Sequence, residues 1–440
     1  MYRVDFEARN SMHKLAHWGA IREYRVCFEK RKIPFLLAWL VFFVTLSVDI
    51  WKNCSVSSEK RMELLVFFSV IMAIIAWVLL VFPPHKTKTL DQFRRVGLVN
   101  HADETPSLIR VERDKQFPQM TDWFFDGMGI PLEVWREKQL EIETALNAAV
   151  VDITCQKGMW LIRLRTVPAE KALPKYIPWE SARLSLENFV LVLGVSYTGL
   201  VCVNLAVTPH ILLGGSTGSG KSMLLKLLLA QAAAKGAEIF IADFKGGVDF
   251  GPYWTERGEI CTEEDHLIAM LTMLLQKMAH RRDLLKSEDC VNIDDYAKKT
   301  GQSIPRCIFA CDEVAEILDK AGADADRKKK LAQIERLLST IARQGRAFGI
   351  HLILATQRPD ANILPGQIKN NLDCRICGRA DKILSQIILD STEAADKVPK
   401  DIQGRFIVSS EDGKVFQAFF FDENFETEGG DAYGDRLSSR

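Results

Sequence analysis

Eight consecutive residues carry the clearest chemistry in this sequence. They follow the spacing G-x-x-x-x-G-K-S: Gly215, Ser216, Thr217, Gly218, Ser219, Gly220, Lys221 and Ser222. Glycines let the backbone turn tightly and aim its N–H groups inward, so that with the positive end of a following helix they form a nest for a β-phosphate. Lys221 would bind the β- and γ-phosphates, and the Ser222 hydroxyl would bind Mg²⁺. The segment therefore predicts a site for ATP and Mg²⁺.

A second group of candidate residues follows an apolar run. Residues 306–311 read Arg-Cys-Ile-Phe-Ala-Cys, and Asp312 and Glu313 come directly after them. We expect Asp312 to hold Mg²⁺ through its water shell and Glu313 to orient and deprotonate an attacking water. A solvated acidic strand end is the alternative. A position about 90 residues after the phosphate loop favours the catalytic interpretation.

These side chains need a sheet to bring them together. We predict strands at 211–213, 238–243 and 306–313, and helices from 223 to about 236 and at 267–285. Such alternation is typical of an α/β fold with a mainly parallel, doubly wound sheet. Ligands bind at the carboxyl ends of the strands in these sheets, so Asp312 and Glu313 should lie beside the phosphates.

Composition limits other functions. The chain has 440 residues, a formal net charge of zero and a pI near 7.1. It lacks the overall positive charge typical of nucleic-acid-binding proteins, so any contact with nucleic acid must be local. Ten cysteines show no disulfide framework. Cys374 and Cys377 have C-x-x-C spacing, but we interpret their segment as a buried strand, where residues three apart point to opposite faces. A metal or redox role is therefore disfavoured.

Two apolar stretches, residues 33–51 and 64–82, are each long enough to cross a hydrocarbon layer of about 30 Å. Basic residues flank their outer ends: Arg22, Arg25, Lys30, Arg31, Lys32, Lys86, Lys88, Arg94 and Arg95. This excess of basic residues at the outer ends predicts a transmembrane hairpin over 33–82 in the cell membrane, with both termini and the nucleotide site cytoplasmic. A buried core helix is the alternative for each stretch.

The remaining organisation is predicted from patterns of polarity. Residues 1–32 form a cytoplasmic segment, 83–125 a polar linker and 126–192 a small α/β adaptor domain. In the adaptor, 132–149 has helical periodicity, and 150–154 and 160–165 are predicted strands. Residues 193–425 form the ATP-binding domain, and 426–440 a disordered tail.

One block carries a resemblance to a known family. Residues 341–359 contain the run Gly-Arg-Ala-Phe-Gly-Ile-His-Leu-Ile-Leu-Ala-Thr-Gln-Arg-Pro, which is similar to a motif of the FtsK/SpoIIIE family of RecA-like DNA-translocating ATPases. The Pro-His before the phosphate loop, the Asp312-Glu313 pair and residues 368–376, 404–408 and 416–422 match as well. The resemblance covers about residues 193 to 424 and implies a RecA-like motor.

The resemblance also implies roles for further residues. Gln357 matches the polar residue that senses the γ-phosphate, and Thr356 would place it. These motors resemble hexameric rings in which an arginine of one subunit completes the site of the next. Arg281 and Arg282 match an arginine-rich helix end in the family, and Arg346 and Arg379 are other candidates. A surface helix charge is the alternative for each arginine.

The function implied is that of a membrane-anchored, ring-forming ATPase that pumps DNA of either strandedness. Residues 243–247 are closer to coupling proteins of conjugative elements and to type VII secretion ATPases than to chromosome-segregation motors, so relaxase or secretion-channel partners are expected. A type VII-like protein secretion ATPase is the alternative, and a catalytically silent scaffold is disfavoured. We expect no winged-helix module of the kind that reads orienting DNA sequences in chromosome translocases, and therefore no sequence-directed loading onto DNA by that route. We also expect no second phosphate loop.

Overall fold

The computed structural model describes residues 45, 48, 60, 63, 66, 67, 69–71 and 92–423, except 157–159, 246–248, 358–363 and 410–413. The chain divides into two compact units, Met1–Ala172 and Leu173–Arg440. Segment 1–32, tail 426–440 and most of the predicted hairpin at 33–82 lie outside the described residues. Among the residues that are described, no helix combines the length and apolarity that crossing a bilayer requires.

The first unit contains a four-stranded antiparallel sheet in the order β1-β2-β4-β3. Its elements are β1 Ser107–Arg113, β2 Thr121–Asp126, helix α1 Leu132–Glu137, helix α2 Gln139–Leu146, β3 Ala148–Gln156, β4 Leu161–Pro168 and a 3₁₀ turn at Ala169–Lys171. Phe93, Phe125 and Trp135 form its aromatic core, with the Phe93 and Phe125 rings 5.1 Å apart. The single helix predicted over 132–149 is broken at Lys138 and stops where Asn147 turns left-handed.

Over its described residues, 92–125, the predicted linker at 83–125 is wrong. It contains β1 and most of β2, and Phe93 is fully buried. β1 is an edge strand, so its residues are only partly covered and several can be charged. The polar composition that indicated a linker is therefore also compatible with a paired strand.

The second unit is built on a ten-stranded sheet in the order β6-β5-β14-β13-β12-β7-β11-β10-β8-β9. Its strands are β5 Val190–Ser196, β6 Gly199–Asn204, β7 Ile211–Gly214, β8 Glu238–Ala242, β9 Gly258–Cys261, β10 Cys307–Cys311, β11 Ile350–Thr356, β12 Cys374–Cys377, β13 Arg405–Val408 and β14 Lys414–Ala418. In this spatial order, the six strands from β12 to β9 pair in parallel. The four strands on the other side of β12, which are β6, β5, β14 and β13, pair antiparallel with their neighbours. The predicted α/β fold is confirmed as a mixed, mostly parallel sheet.

Helices cover both faces of this sheet. They are α3 Lys221–Ala234, α4 Pro252–Thr255, α5 Glu264–Ser287, α6 Ile293–Thr300, α7 Val314–Leu318, α8 Ala325–Gln344, α9 Gly366–Lys369, α10 Lys382–Leu389 and α11 Glu393–Lys397, with 3₁₀ turns at Ser181–Arg183 and Gly345–Phe348. Along β7, Leu212 enters one core, and Ile211 and Leu213 enter the other. Because both faces are buried, the central strands read as continuous apolar runs.

The second unit begins earlier than the predicted boundary at 193. Ile177 and Trp179 pack against its core, and the Trp179 N–H donates to the Phe420 carbonyl at 2.8 Å. The segment before β5 has only one 3₁₀ turn as regular structure, so it lacks the periodicity that would have assigned it. Residues 173–192 therefore belong to the ATP-binding unit.

A buried polar chain lies at the amino ends of the central strands. Asp294 accepts two hydrogen bonds of 2.6 Å from Arg306, which donates at 3.1 Å to Nε2 of His351. Nδ1 of His351 then donates to the Pro209 carbonyl at 2.9 Å. Burial lowers the pKa of His210 to about 4 and that of His351 well below its ordinary value. Both imidazoles are therefore neutral in the fold.

We predict that the fold loses stability as the pH falls below about 6.5, because the unfolded histidines then bind protons that the folded ones refuse. Because the pKa of His210 falls to about 4 on folding, protonation lowers the free energy of unfolding by roughly 3 kcal/mol by pH 4. Urea unfolding between pH 7.5 and pH 5 measures the change in this free energy. His210→Asn, whose amide oxygen can still accept from Leu352 N–H, should show a shallower pH dependence. An unchanged dependence there, or an equal change in the half-exposed control His266→Asn, would contradict the assignment.

Candidate active site

The phosphate loop lies between β7 and α3, as its context predicts. Gly215 and Gly220 have φ of 155° and 96°, in the region that favours glycine. A Cβ on Gly215 would lie 2.5 Å from Ser219 Oγ, and one on Gly220 would lie 3.0 Å from the Gly404 nitrogen. No side chain caps the start of α3, so its first N–H groups can bind an anion. The loop is therefore held open for phosphate.

Strand β10 ends beside this loop and brings the predicted magnesium ligands together. Ser222 Oγ donates to Asp312 Oδ1 at 2.9 Å, and Lys221 Nζ donates to the Asp312 backbone carbonyl at 2.7 Å. Asp312 is only 3% exposed. Burial by itself would raise the pKa of this carboxyl, but the charges of Lys221 and Lys245 and the Ser222 hydrogen bond outweigh it and hold the pKa low. Asp312 is therefore an anion beside the loop.

Glu313 is held by the next strand, β11. Thr356 Oγ1 donates to Glu313 Oε1 at 2.8 Å, and the Gln357 N–H donates to Oε2 at 3.0 Å. Lys221 Nζ lies 3.8 Å from Oε2. The Gln357 side chain reaches the phosphate loop, where its Oε1 accepts from Thr217 Oγ1 at 3.0 Å. The structure thus brings Lys221, Glu313 and Gln357 into one cluster.

Lys245 is a site residue that the sequence analysis missed. Its Nζ lies 2.9 Å from Asp312 Oδ2 and 3.1 Å from Asp249 Oδ2. Burial would lower its pKa, but the two carboxylates raise the pKa above its ordinary value. In the sequence, residues 243–247 showed only a family resemblance. The topology of the sheet could have identified Lys245, because β8 pairs with β10 and its carboxyl end must reach the same edge of the sheet.

A second pocket adjoins the phosphate loop and was also missed. Gly220, Met223 and Gln403 line both this pocket and the phosphate cleft. The rings of Tyr176 and Phe420, 5.2 Å apart, form an aromatic wall. Tyr176 lies in the segment that we had assigned to the adaptor domain, which is why it was not considered for the site.

The candidate arginines occupy different environments. Arg281 is buried, and its guanidinium donates at 2.7 Å to the carbonyls of Phe348 and Pro305. This position does not suit the predicted role in a neighbouring subunit, since the side chain joins parts of its own unit. Arg282 is half-exposed, and its Nε lies 3.8 Å from Asp283 Oδ1.

The two other arginines are in contact with their own unit as well. Arg346 is exposed, and its Nε lies 3.4 Å from the Ala206 carbonyl. Arg379 donates to the Thr217 carbonyl and, at 3.2 Å, to Ser216 Oγ. Arg379 therefore braces the phosphate loop of its own chain.

The C-x-x-C pair lies on β12, which pairs with β7 beside the phosphate loop. Cys374 packs in one core and Cys377 in the other, on opposite faces of the sheet. Burial raises the pKa of each thiol to about 12, so both stay protonated. They serve as small apolar core residues.

A strand, a glycine-rich phosphate loop and a helix that starts with Lys-Ser, together with an acidic pair on a nearby parallel strand, define a P-loop NTPase. A profile of the FtsK/SpoIIIE family matches residues 178–361. The structure of the pCW3 conjugation coupling protein TcpA, in its monomer form with ATPγS, is 34% identical with a TM-score of 0.64 and covers 80% of this chain and 98% of that one. The chain belongs to the FtsK/SpoIIIE family of ATPase motors.

Relatives of this chain include longer proteins. The DNA translocase FtsK of Chlorobaculum tepidum is 30% identical over 295 residues, which are 60% of this chain and 35% of that protein. The DNA translocase SftA of Bacillus subtilis is 28% identical over 261 residues, 53% of this chain and 26% of that protein. The chain thus spans about a third or less of the length of these curated relatives.

We predict that Lys245→Met lowers the Mg²⁺ concentration needed for nucleotide binding by about tenfold. Its ammonium and Mg²⁺ would bind the same carboxylate of Asp312, and a charge-assisted hydrogen bond is worth roughly 1.5 kcal/mol. Titrating Mg²⁺ against a fluorescent ATP analogue measures the midpoint. Lys245→Arg keeps the cation and should stay near wild type. A midpoint that Lys245→Met leaves in place would show that Lys245 does not compete at Asp312.

Proposed function

We propose that this protein is an ATP-driven DNA translocase that acts as the coupling protein of a conjugative element. Two observations support the proposal together. Lys221, Asp312, Glu313 and Gln357 form a connected ATP site, and the likeness to a conjugation coupling protein extends over nearly all of that structure. The likeness to a conjugation coupling protein is the reason for proposing a coupling protein and not another kind of DNA translocase.

The donor set fits a nucleotide with Mg²⁺. Residues 215–222 surround space that a Cβ at Gly215 or Gly220 would fill, and the hydroxyl of Ser222 and the carboxylate of Asp312 are oxygen ligands of the kind Mg²⁺ prefers. Ser222 and Asp312 would hold Mg²⁺, which when bound would supply positive charge that offsets the negative charge of the phosphates. Lys221 adds a buried positive charge at the loop. Its place at the start of α3 aims it at phosphate.

Glu313 would accept the proton of the attacking water. Hydrogen bonds from Thr356 and from the Gln357 N–H fix the directions of its two oxygens. The Gln357 side chain in turn contacts Thr217 in the phosphate loop, so the loop and Glu313 are linked through the side chain and the backbone N–H of one residue. A change at the γ-phosphate position would therefore reach Glu313 and β11 directly.

The aromatic pocket beside the loop would hold the adenine base. Tyr176 and Phe420 offer ring faces for stacking, and the pocket meets the phosphate cleft at Gly220 and Met223. An apolar, aromatic wall next to a phosphate nest matches the two chemically different ends of a nucleotide.

Tyr176→Ala should raise the KM for ATP about tenfold, because stacking of a base on an aromatic ring contributes roughly 1 to 3 kcal/mol. The value of kcat should change less than about twofold, since Tyr176 does not contact the Lys221 and Glu313 cluster. Steady-state ATPase kinetics separate the two parameters. Leu186→Ala removes an exposed apolar side chain elsewhere and is the control. A fall in kcat at unchanged KM would argue against a base pocket.

The assembly and location remain part of the proposal. The chain would form a homo-oligomeric ring, with six subunits as the family resemblance implies, and Arg282 would enter the neighbouring site. Residues 33–82 would anchor the ring in the membrane, where it could meet a relaxase or secretion-channel proteins. TcpA of pCW3 is a conjugation coupling protein, and we extend that role to this chain.

The full chain tests the proposal directly. Its ATPase rate should rise on addition of double-stranded or single-stranded DNA, and it should displace a triplex-forming strand from a duplex in an ATP-dependent manner. Glu313→Gln should still bind ATP but lose turnover by about 10² to 10⁴, whereas Glu335→Gln, at a partly exposed ion pair, should behave as wild type. Unchanged ATPase rates with DNA and no displacement would refute translocation. Stimulation by a secreted substrate peptide instead would favour protein secretion.

A further inference from the structure

One face of helix α8 carries regularly spaced cations. Lys329, Arg336 and Arg343 lie seven residues apart and are exposed. Residues seven apart on an α-helix drift by only about 20° around the axis, so the three side chains form a single line, which we call the basic stripe. Ala332, Gln333 and Thr340 lie between them on the same face and are uncharged.

The stripe differs from the other surfaces of the same helix. Its opposite face is apolar and buried, with Leu331, Ile334, Leu337, Leu338 and Ile341 in the core. Two cations next to the stripe are neutralised within the unit, since Arg327 pairs with Glu264 at 2.6 Å and Lys330 with Asp265 at 2.7 Å, whereas Lys328 is exposed.

The stripe itself is not neutralised in this way. Lys329 has one exposed contact, 3.0 Å from Asp326, of the kind that contributes little. No carboxylate in the described part of the chain forms an ion pair with Arg336 or Arg343. Three cations thus face solvent from one rigid helix, although the net charge of the chain is zero.

The length of the stripe suits a densely charged polyanion. Seven residues of α-helix advance about 10.5 Å, so the three cations span about 21 Å. Double-stranded DNA carries one negative charge for about every 1.7 Å of its axis, so a duplex beside α8 would present several phosphates within that length. The small or uncharged side chains between them leave room for close approach.

We propose that the basic stripe Lys329, Arg336 and Arg343 contacts the phosphate backbone of DNA. This inference rests on the proposed translocase function and names the surface that would bind its substrate. The position of α8 in the chain links that surface to hydrolysis. Helix α8 lies between β10, which ends at Glu313, and β11, which leads to Gln357. DNA bound along α8 would therefore contact an element that connects the two strands of the catalytic cluster.

The test removes three charges from the stripe and, in a matched variant, three from paired positions. The stripe variant of the full chain is Lys329→Gln/Arg336→Gln/Arg343→Gln, and the control is Lys320→Gln/Arg327→Gln/Lys330→Gln, whose cations pair with carboxylates. Fluorescence anisotropy with a short DNA duplex, over a series of salt concentrations, gives the affinity and its salt dependence. ATPase rates without DNA report whether each variant keeps an intact nucleotide site.

We expect the stripe variant to lose about tenfold or more in DNA affinity near 0.1 M salt. The slope of log K against log salt should fall by roughly 3, because each phosphate contact contributes about 0.9. Stimulation by DNA should fall in parallel, while the rate without DNA and the control variant stay near wild type.

Three results would overturn the inference, and they are distinguishable. Equal affinity and slope in wild type and the stripe variant would refute the stripe while leaving the translocase proposal in place. Absence of DNA binding by the wild type would refute both. If the stripe variant lost binding to phosphatidylserine vesicles or to polyglutamate but not to duplex DNA, the stripe would serve a different anionic partner and the inference would be wrong.

Discussion

Lys221 is a buried ammonium, and the architecture of the second unit follows from the need to compensate its charge. Only 7% of the residue is exposed, and its Nζ is surrounded by the Asp312 carbonyl, the Asp312 carboxylate and Glu313. A buried cation without such partners is strongly destabilising. The carboxylates must therefore come from a strand that ends level with the phosphate loop. Parallel pairing provides this, since Cys311 is aligned with Leu354, and Leu354 with Leu212.

The same pairing connects binding to the geometry of catalysis. Strand β11 lies between β7 and β10, so Thr356 and Gln357 emerge between the phosphate loop and the acidic pair. Glu313 accepts hydrogen bonds from Thr356, at the end of β11, and from the following Gln357 N–H, and Gln357 in turn depends on the loop through Thr217. Because fully buried strands can shift little without opening gaps in close-packed cores, changes at the phosphate position are transmitted as small movements of whole elements.

Sequence patterns predicted the parts of the fold where one physical signal dominates. The continuous apolar runs of β7, β10 and β11 arise because both sheet faces are covered, and the loop glycines arise from left-handed backbone. The predictions were wrong where local composition is ambiguous. A polar edge strand such as β1 resembles a linker in composition. The segment at 173–189 has a single 3₁₀ turn and no hydrophobic periodicity of a helix or strand. Tyr176 was overlooked because it lies in this segment.

By itself, the sequence determined that this protein has a phosphate loop, an acidic pair and a neighbouring glutamine, since these motifs depend on residue types at short spacing. Tertiary structure alone decided which charges meet. Lys245 reaches Asp312 because β8 pairs with β10, whereas Arg281 is buried against two backbone carbonyls. Arg327 and Lys330 pair with α5, while Lys329, Arg336 and Arg343 face solvent from the same helix. Spacing along the chain cannot specify these outcomes, because they depend on which elements pack side by side.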